Sequence, residues 1–236
     1  TGSGATAVAE LAPPKRLPGV STIWQQRQLY AGAENSPKTI WGSAVGRFNN
    51  FNTSAIITSS DTYEFDLETE QSWRIRHLLP TRVGLMVMSA GGVWLMPGGN
   101  QLAVTPTNAF AEPQSAVGVA QVRPFLIDSD ILYLTEKERS VRLLSYNDFS
   151  KVFGGQDVSI LSSHLFTINN SVVRWTFQEA PYRMLWAARA DGTFLMCTIS
   201  KEHNIFGWTP GATRGYVRDF VTVTEGVCDV TYLTVE

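Results

Sequence analysis

The chain repeats itself, and the repeat constrains it more than any single motif. Short apolar runs open near Leu29 (LYAGA), Leu85 (LMVMS), Ile131 (ILYLT), Met184 (MLWAA) and Val230 (VTYLTV), a spacing of roughly 45 to 55 residues. Ahead of four of them stands an apolar-Arg pair: Ile75-Arg76, Val122-Arg123, Val173-Arg174 and Val217-Arg218. The segments AGGVWLM (90–96) and ADGTFLM (190–196) share a frame of strand, Gly-containing turn and strand. Gly91-Gly92 and Asp191-Gly192 are expected to supply the positive φ values that two-residue hairpin turns need. A fourth strand, NIFGW, follows the polar turn Lys201-Glu202-His203.

A four-stranded antiparallel unit at this period is the pattern of a β-propeller blade. The fold class expected is therefore all-β and β-propeller-like, with about five recognisable four-stranded blade repeats that need not form a complete set. The strand at Met184 is apolar at consecutive positions, as in a sheet covered on both faces. A β-sandwich is the structural alternative, although its turn signals come every 8 to 12 residues without such a super-period. Residues 1–19, small and Pro-containing, read as an extended arm or linker, and 20–236 as the propeller-like domain. Sustained helical periodicity is missing; SYNDFSKVFGG (145–155) is expected to hold at most one helical turn.

Hydrophobic residues make up 44% of the chain and aromatics 11%, too much apolar surface for a disordered polypeptide to leave in water. A net charge of -2, with no long basic run, gives no general attraction to phosphate or to an acidic membrane surface. No stretch is long and apolar enough for a membrane-spanning helix, and the opening residues lack a signal-peptide layout. The first residue is Thr, which suggests a processed product or part of a longer chain. Cys197 and Cys228 lie in apolar strand-like runs, where buried thiols are expected.

Candidate chemistry is sparse. His77, His164 and His203 have no metal-ligand spacing, and no Gly-x-Ser-x-Gly elbow occurs. In DTYEFDLETE, Glu64, Asp66, Glu68 and Glu70 alternate with Tyr63, Phe65 and Leu67, which predicts a wet face opposite a buried one. A sugar-cleaving pair would instead require two carboxyls converging about 5 to 9.5 Å apart. The Gly-rich SAGGVWLMPGG lacks the Lys of a phosphate loop. No catalytic, cofactor-binding or metal-binding residue is assigned, and no enzyme is expected. The residues singled out are structural: Trp24, Trp41, Trp94, Trp175, Trp186 and Trp208 as blade-packing aromatics. Arg76, Arg123, Arg174 and Arg218 are expected to make ion pairs or carbonyl contacts between blades. Gly92 and Gly192, with Gly91 and Asp191, are assigned to the turns. The loops 135–140 and 147–157 are candidates for reaching partners.

WQQRQLYAGAENSPKTIWGSAVGRFNNF (24–51) resembles the first recognisable blade of the tail nozzle proteins of short-tailed bacteriophages, also called phage stabilisation protein or tail tubular protein B. The likeness continues in order through LAVTPTN (102–108), SAVG (115–118), VRP (122–124), VRLLSY (141–146), DVSILSSHLF (157–166), WAARADGTF (186–194) and FGW (206–208). Members of that group are longer and carry a platform region, whereas this chain stops within its fifth repeat, so a fragment or a reduced member is expected. The resemblance implies a structural protein of the virion tail. Copies, typically six, would form a homohexameric nozzle below the head-to-tail adaptor, around the channel through which double-stranded DNA passes without specific binding. Such a ring would also anchor tail fibres or spikes. The competing class is a carbohydrate-binding or glycan-cleaving propeller of a receptor-binding apparatus.

Overall fold

The computed structural model describes residues 17–98, 103–167 and 170–236. Most of the expected arm at 1–19 lies outside them. The chain divides after Val119 into two compact units.

The first unit holds two four-stranded antiparallel sheets. β1 (Val20–Trp24), β2 (Arg27–Ala31), β3 (Thr39–Gly42) and β4 (Tyr63–Asp66) lie in chain order. So do β5 (Ile75–Pro80), β6 (Gly84–Ser89), β7 (Val93–Pro97) and β8 (Glu112–Ser115). Leu29, Ile40, Ile75, Leu85, Val87 and Met96 form the core that joins the two sheets, with Trp24 and Trp94 at its margin. Burying each such aliphatic side chain contributes roughly 1.5 to 3 kcal/mol before the entropy of ordering is counted.

The second unit repeats the plan. Its first sheet contains β9 (Phe125–Ile127), β10 (Asp130–Leu134), β11 (Val141–Asn147) and β12 (Val152–Asp157). Its second contains β13 (Val172–Gln178), β14 (Met184–Arg189), β15 (Phe194–Ser200) and β16 (Ile205–Gly211). A two-stranded sheet follows, β17 (Val217–Glu225) paired with β18 (Cys228–Val235). The fold is thus all-β, with four blade-like meanders and a fifth unit of two strands. A 3-10 turn at Ile160–Leu165 joins β12 to β13.

The five apolar runs of the sequence fall on β2, β6, β10, β14 and β18, the second strand of each unit. Every residue of β6 and of β10 is buried. That explains why these strands read as continuous apolar runs rather than alternating ones.

Two of three local expectations are corrected. Gly192 has φ of +80°, but neither Gly91 nor Gly92 is left-handed. A Cβ on Gly91 would stand 2.1 Å from Trp73 Cδ1, and one on Gly92 would stand 2.7 Å from the Ser115 carbonyl oxygen. Close approach, rather than turn geometry, requires glycine there. Residues 145–155 form a hairpin whose loop contains one α-turn, closed by Lys151 N–H donating to the Asn147 carbonyl at 2.8 Å. Cys228 is exposed, while Cys197 is buried, because Cys228 sits opposite Glu225 at the open tip of β17–β18.

Candidate functional site

In the first unit the side chains of β2 alternate between buried and half-buried, placing Arg27 on the same buried face as Leu29 and Ala31. Arg27 is only 2% exposed. Its guanidinium donates to the carbonyl oxygens of Ser43 at 2.6 Å, Asp61 at 2.5 Å and Ser59 at 2.8 Å. All three acceptors belong to the β3–β4 connection. Burial lowers the Arg27 pKa, opposed by the nearby Tyr63 and Asp61, but an arginine remains charged in such a setting. A buried cation thus holds a long loop by its backbone, which a neutral donor would do less strongly.

The preceding turn adds two more ties. Gln25 and Gln26 carry φ values of 47° and 58°, the left-handed pair of a type I′ hairpin, which Asn-Gly adopts at lower cost. The Gln25 amide donates to the Gly98 carbonyl at 3.1 Å and accepts from Val104 N–H at 2.9 Å. The Gln26 carbonyl accepts from Gly46 N–H at 2.9 Å.

The loop so held exposes apolar residues. Ile56 is 81% and Ile57 65% exposed, with Phe48 and Val45 less so. Beneath them Asp61 accepts from Thr58 N–H at 2.7 Å and Ser54 Oγ at 3.0 Å. These hydrogen bonds, the Thr58 backbone bond first, hold its carboxyl below the usual range. The result is an exposed apolar surface on a loop tied at several points of its backbone. Sequence reasoning did not assign Arg27 or Gln25. The available signal was an arginine at the inward-facing position of Arg-x-Leu-x-Ala.

The carboxylates of 61–70 do not converge. Asp61 is tied within its own loop, Glu64 and Asp66 stand exposed on β4, and Tyr63 and Leu67 are buried. Asp66 accepts from Thr39 Oγ1 at 2.5 Å. Among the described residues, no group of His, Cys, Asp and Glu is arranged to hold a metal. His77 is half-buried on β5, and His164 and His203 are exposed.

The four arginines do not occupy one equivalent position. Ile75, Val172 and Val217 are the matching residues of three first strands, and an extra residue bulges after each: Arg76, Val173 and Arg218. Arg174 therefore matches His77 and Asp219, and Val122-Arg123 precedes β9 altogether. Arg76 donates to the Val119 carbonyl at 2.8 Å. Arg174 pairs with Asp219 at 3.6 Å across β13 and β17. Arg218 pairs with Glu236 and lies over Tyr216. The Arg123 carbonyl accepts from Trp175 Nε1 at 2.6 Å. A cleft of about 510 Å³ opens between these first strands, lined by Arg123, Arg174 and Asp219 over Trp175 and Phe220.

The remaining tryptophans face neighbouring elements. Trp208 Nε1 donates to the Val158 carbonyl at 3.0 Å, and its ring meets Phe166 edge-on at 5.0 Å. Trp186 packs on Phe194 and Phe220, joining β14 and β15 to β17. Trp94 is buried, and Trp41 is half-buried beside Tyr30 and Glu64. An ionic group ties the two four-stranded sheets of the second unit. Arg183 grips Asp128 with both nitrogens, at 2.9 and 2.5 Å. Lys201 Nζ stands 2.7 Å from Asp130, on the mostly buried side of the pair.

Compared with family models and with curated proteins, the chain matches none.

Proposed function

We propose that the chain is a structural subunit of a short-tailed bacteriophage tail nozzle. In this reading copies form an oligomeric ring around the DNA exit channel below the portal adaptor, and the outer surface anchors fibres or spikes. The observation that carries the proposal is the loop between β3 and β4. Arg27 ties this loop at Ser43, Ser59 and Asp61, and between those ties Ile56 and Ile57 stand exposed. Clustered exposed Ile and Phe side chains on a loop tied at its ends suit a protein contact, since an apolar surface in water gains by being covered. The resemblance motifs support the same reading: WQQRQL spans β1 and β2, VRLLSY lies on β11, and WAARADGTF turns from β14 into β15. A net charge of -2 is compatible with a conduit, because a lysine- and arginine-lined wall would hold DNA by counterion release.

Immunogold electron microscopy of phage particles, with antibody raised against this chain, tests the proposal. Label at the distal end of a short tail is the expected result. Particles without label, or label on capsid or fibres, would overturn it.

A further inference from the structure

The ladder of the β11–β12 hairpin places four residues together. Ser145 stands opposite Gly154, Leu143 opposite Gln156, and Asn147 opposite Val152. Opposed residues of an antiparallel pair share a side, as do residues two apart on one strand. Ser145, Asn147, Gly154 and Gln156 therefore lie on one side of the hairpin. With Asp148 they line a groove of about 540 Å³, a size that suits a small molecule.

Each polar side chain on that side keeps a group in reserve. The Asn147 side-chain carbonyl accepts from the N–H groups of Phe149 at 2.9 Å and Ser150 at 3.3 Å. Those bonds fix the amide, and its nitrogen has no partner among the described residues. The Gln156 amide nitrogen donates to Asn204 Oδ1 at 3.5 Å, which leaves its carbonyl oxygen open. The Ser145 hydroxyl is likewise without a partner among the described residues. A donor, an acceptor and a hydroxyl on one face complement a ligand whose own groups both donate and accept.

Gly154 stands bare among them. Its backbone is not left-handed, and a Cβ there would meet nothing nearer than the Ser145 carbonyl oxygen at 4.0 Å. The fold thus has room for a side chain, and glycine weakens a strand interior, so folding does not account for it. Close approach by another molecule does. Among the described residues, neither lysine nor arginine lines the groove, and Asp148 adds a negative charge, so an anion would be repelled. Aliphatic side chains are missing from the lining too, which leaves little for an apolar ligand to bury.

We infer that this face binds a neutral saccharide unit. Adjacent hydroxyls of the sugar exchange hydrogen bonds with Ser145, Asn147 and Gln156, and its ring lies over Gly154. A single carboxyl lines the groove, where cleavage would require two, so the site binds without cutting. This inference rests on the β11–β12 hairpin and not on the nozzle reading.

The probes are maltose, cellobiose, lactose and diacetylchitobiose, each titrated into the whole isotope-labelled chain. At least one should shift the amide resonances of 145–148 and 154–156, saturably and with one-to-one stoichiometry. Gly154→Val fills the bare position: it should abolish those shifts while the urea midpoint holds or rises. Gln156→Leu should weaken binding about fivefold, as expected for one lost hydrogen bond. Absence of shifts with all four sugars, shifts confined to other residues, or unchanged binding by Gly154→Val would overturn the inference. So would a lower urea midpoint for Gly154→Val, which would make the glycine a requirement of folding.

Discussion

The Arg27 guanidinium lies 5.4 Å from the centre of the Tyr63 ring, yet the Tyr63 hydroxyl, buried with it, has no hydrogen-bond partner among the described residues. The ring face attracts the cation, while the hydroxyl is desolvated and unpaired. Burial pushes its pKa up to about 12, against the pull of Arg27.

Tyr63→Phe should therefore stabilise the protein. The substitution keeps the ring under Arg27 and removes a polar atom whose unpaired burial costs about 1 to 3 kcal/mol. Urea unfolding should show a gain of roughly 1 kcal/mol, the low end of that range. A loss above that size would mean that the hydroxyl has a partner in solution.

Arg27→Met should have the opposite effect. Three carbonyls, those of Ser43, Ser59 and Asp61, lose their donor together, which predicts a destabilisation of about 3 to 5 kcal/mol. Arg27→Lys should recover only part of this, because one ammonium cannot reproduce the planar fork. Amide exchange should quicken first between Ser43 and Thr62, and quickening spread evenly over the first unit would refute the pinning role.

The sequence carried the repeat, the second-strand positions and the alternation of Tyr63 and Leu67 with Glu64 and Asp66, because each depends on local apolar spacing. What it left hidden depends on residues far apart in the chain. Arg27 finds its acceptors 16 to 34 residues away, and no periodicity marks such a pairing. The apolar-Arg repeat was misleading for a different reason. A bulge inserts one residue, so Arg174 matches Asp219 rather than Arg218. Gly91 was legible as a glycine that matters, but the ring of Trp73 that requires it is a tertiary neighbour.

Acid should destabilise the fold through its carboxylates. Asp128 is held below the ordinary range mainly by its hydrogen bonds from Arg183, and Asp229 by the backbone N–H of Ala180; Asp61 is lowered similarly in its loop. A depressed folded-state pKa means that the unfolded chain binds protons first. The associated stability is complete well above the unfolded Asp value of about 3.9 and is lost as the pH falls through it toward the lower folded values. The urea midpoint should stay level from pH 7 to about 5 and drop below pH 4. Asp128→Asn should make that drop shallower, and an unchanged slope would remove the Arg183 pair from the account.

The two thiols should separate cleanly. Cys197 is buried on β15 and burial pushes its pKa up to about 12, so it offers almost no thiolate at neutral pH. Cys228 stands open at the hairpin tip. In native protein a thiol reagent should modify Cys228 alone, and Cys197 should react only after denaturant is added. Fast reaction of both in the native state would show that β15 opens readily.

The exposed pair Ile56 and Ile57 separates assembly from folding. Both side chains lie largely in solvent, and surface substitutions there ordinarily change stability by less than about 0.5 kcal/mol. Under the proposed nozzle role, their contribution is to contact with another molecule rather than to the core. Ile56→Asp with Ile57→Asp should leave the urea midpoint unchanged and, if the proposed nozzle role holds, reduce incorporation of the chain into tails. It does so by placing two carboxylates where an apolar contact must lose water, which is costly for an unpaired charge. Normal incorporation of the double variant would move the assembly surface away from this loop and leave the strain at Gln25 and Gln26 as a feature of folding alone.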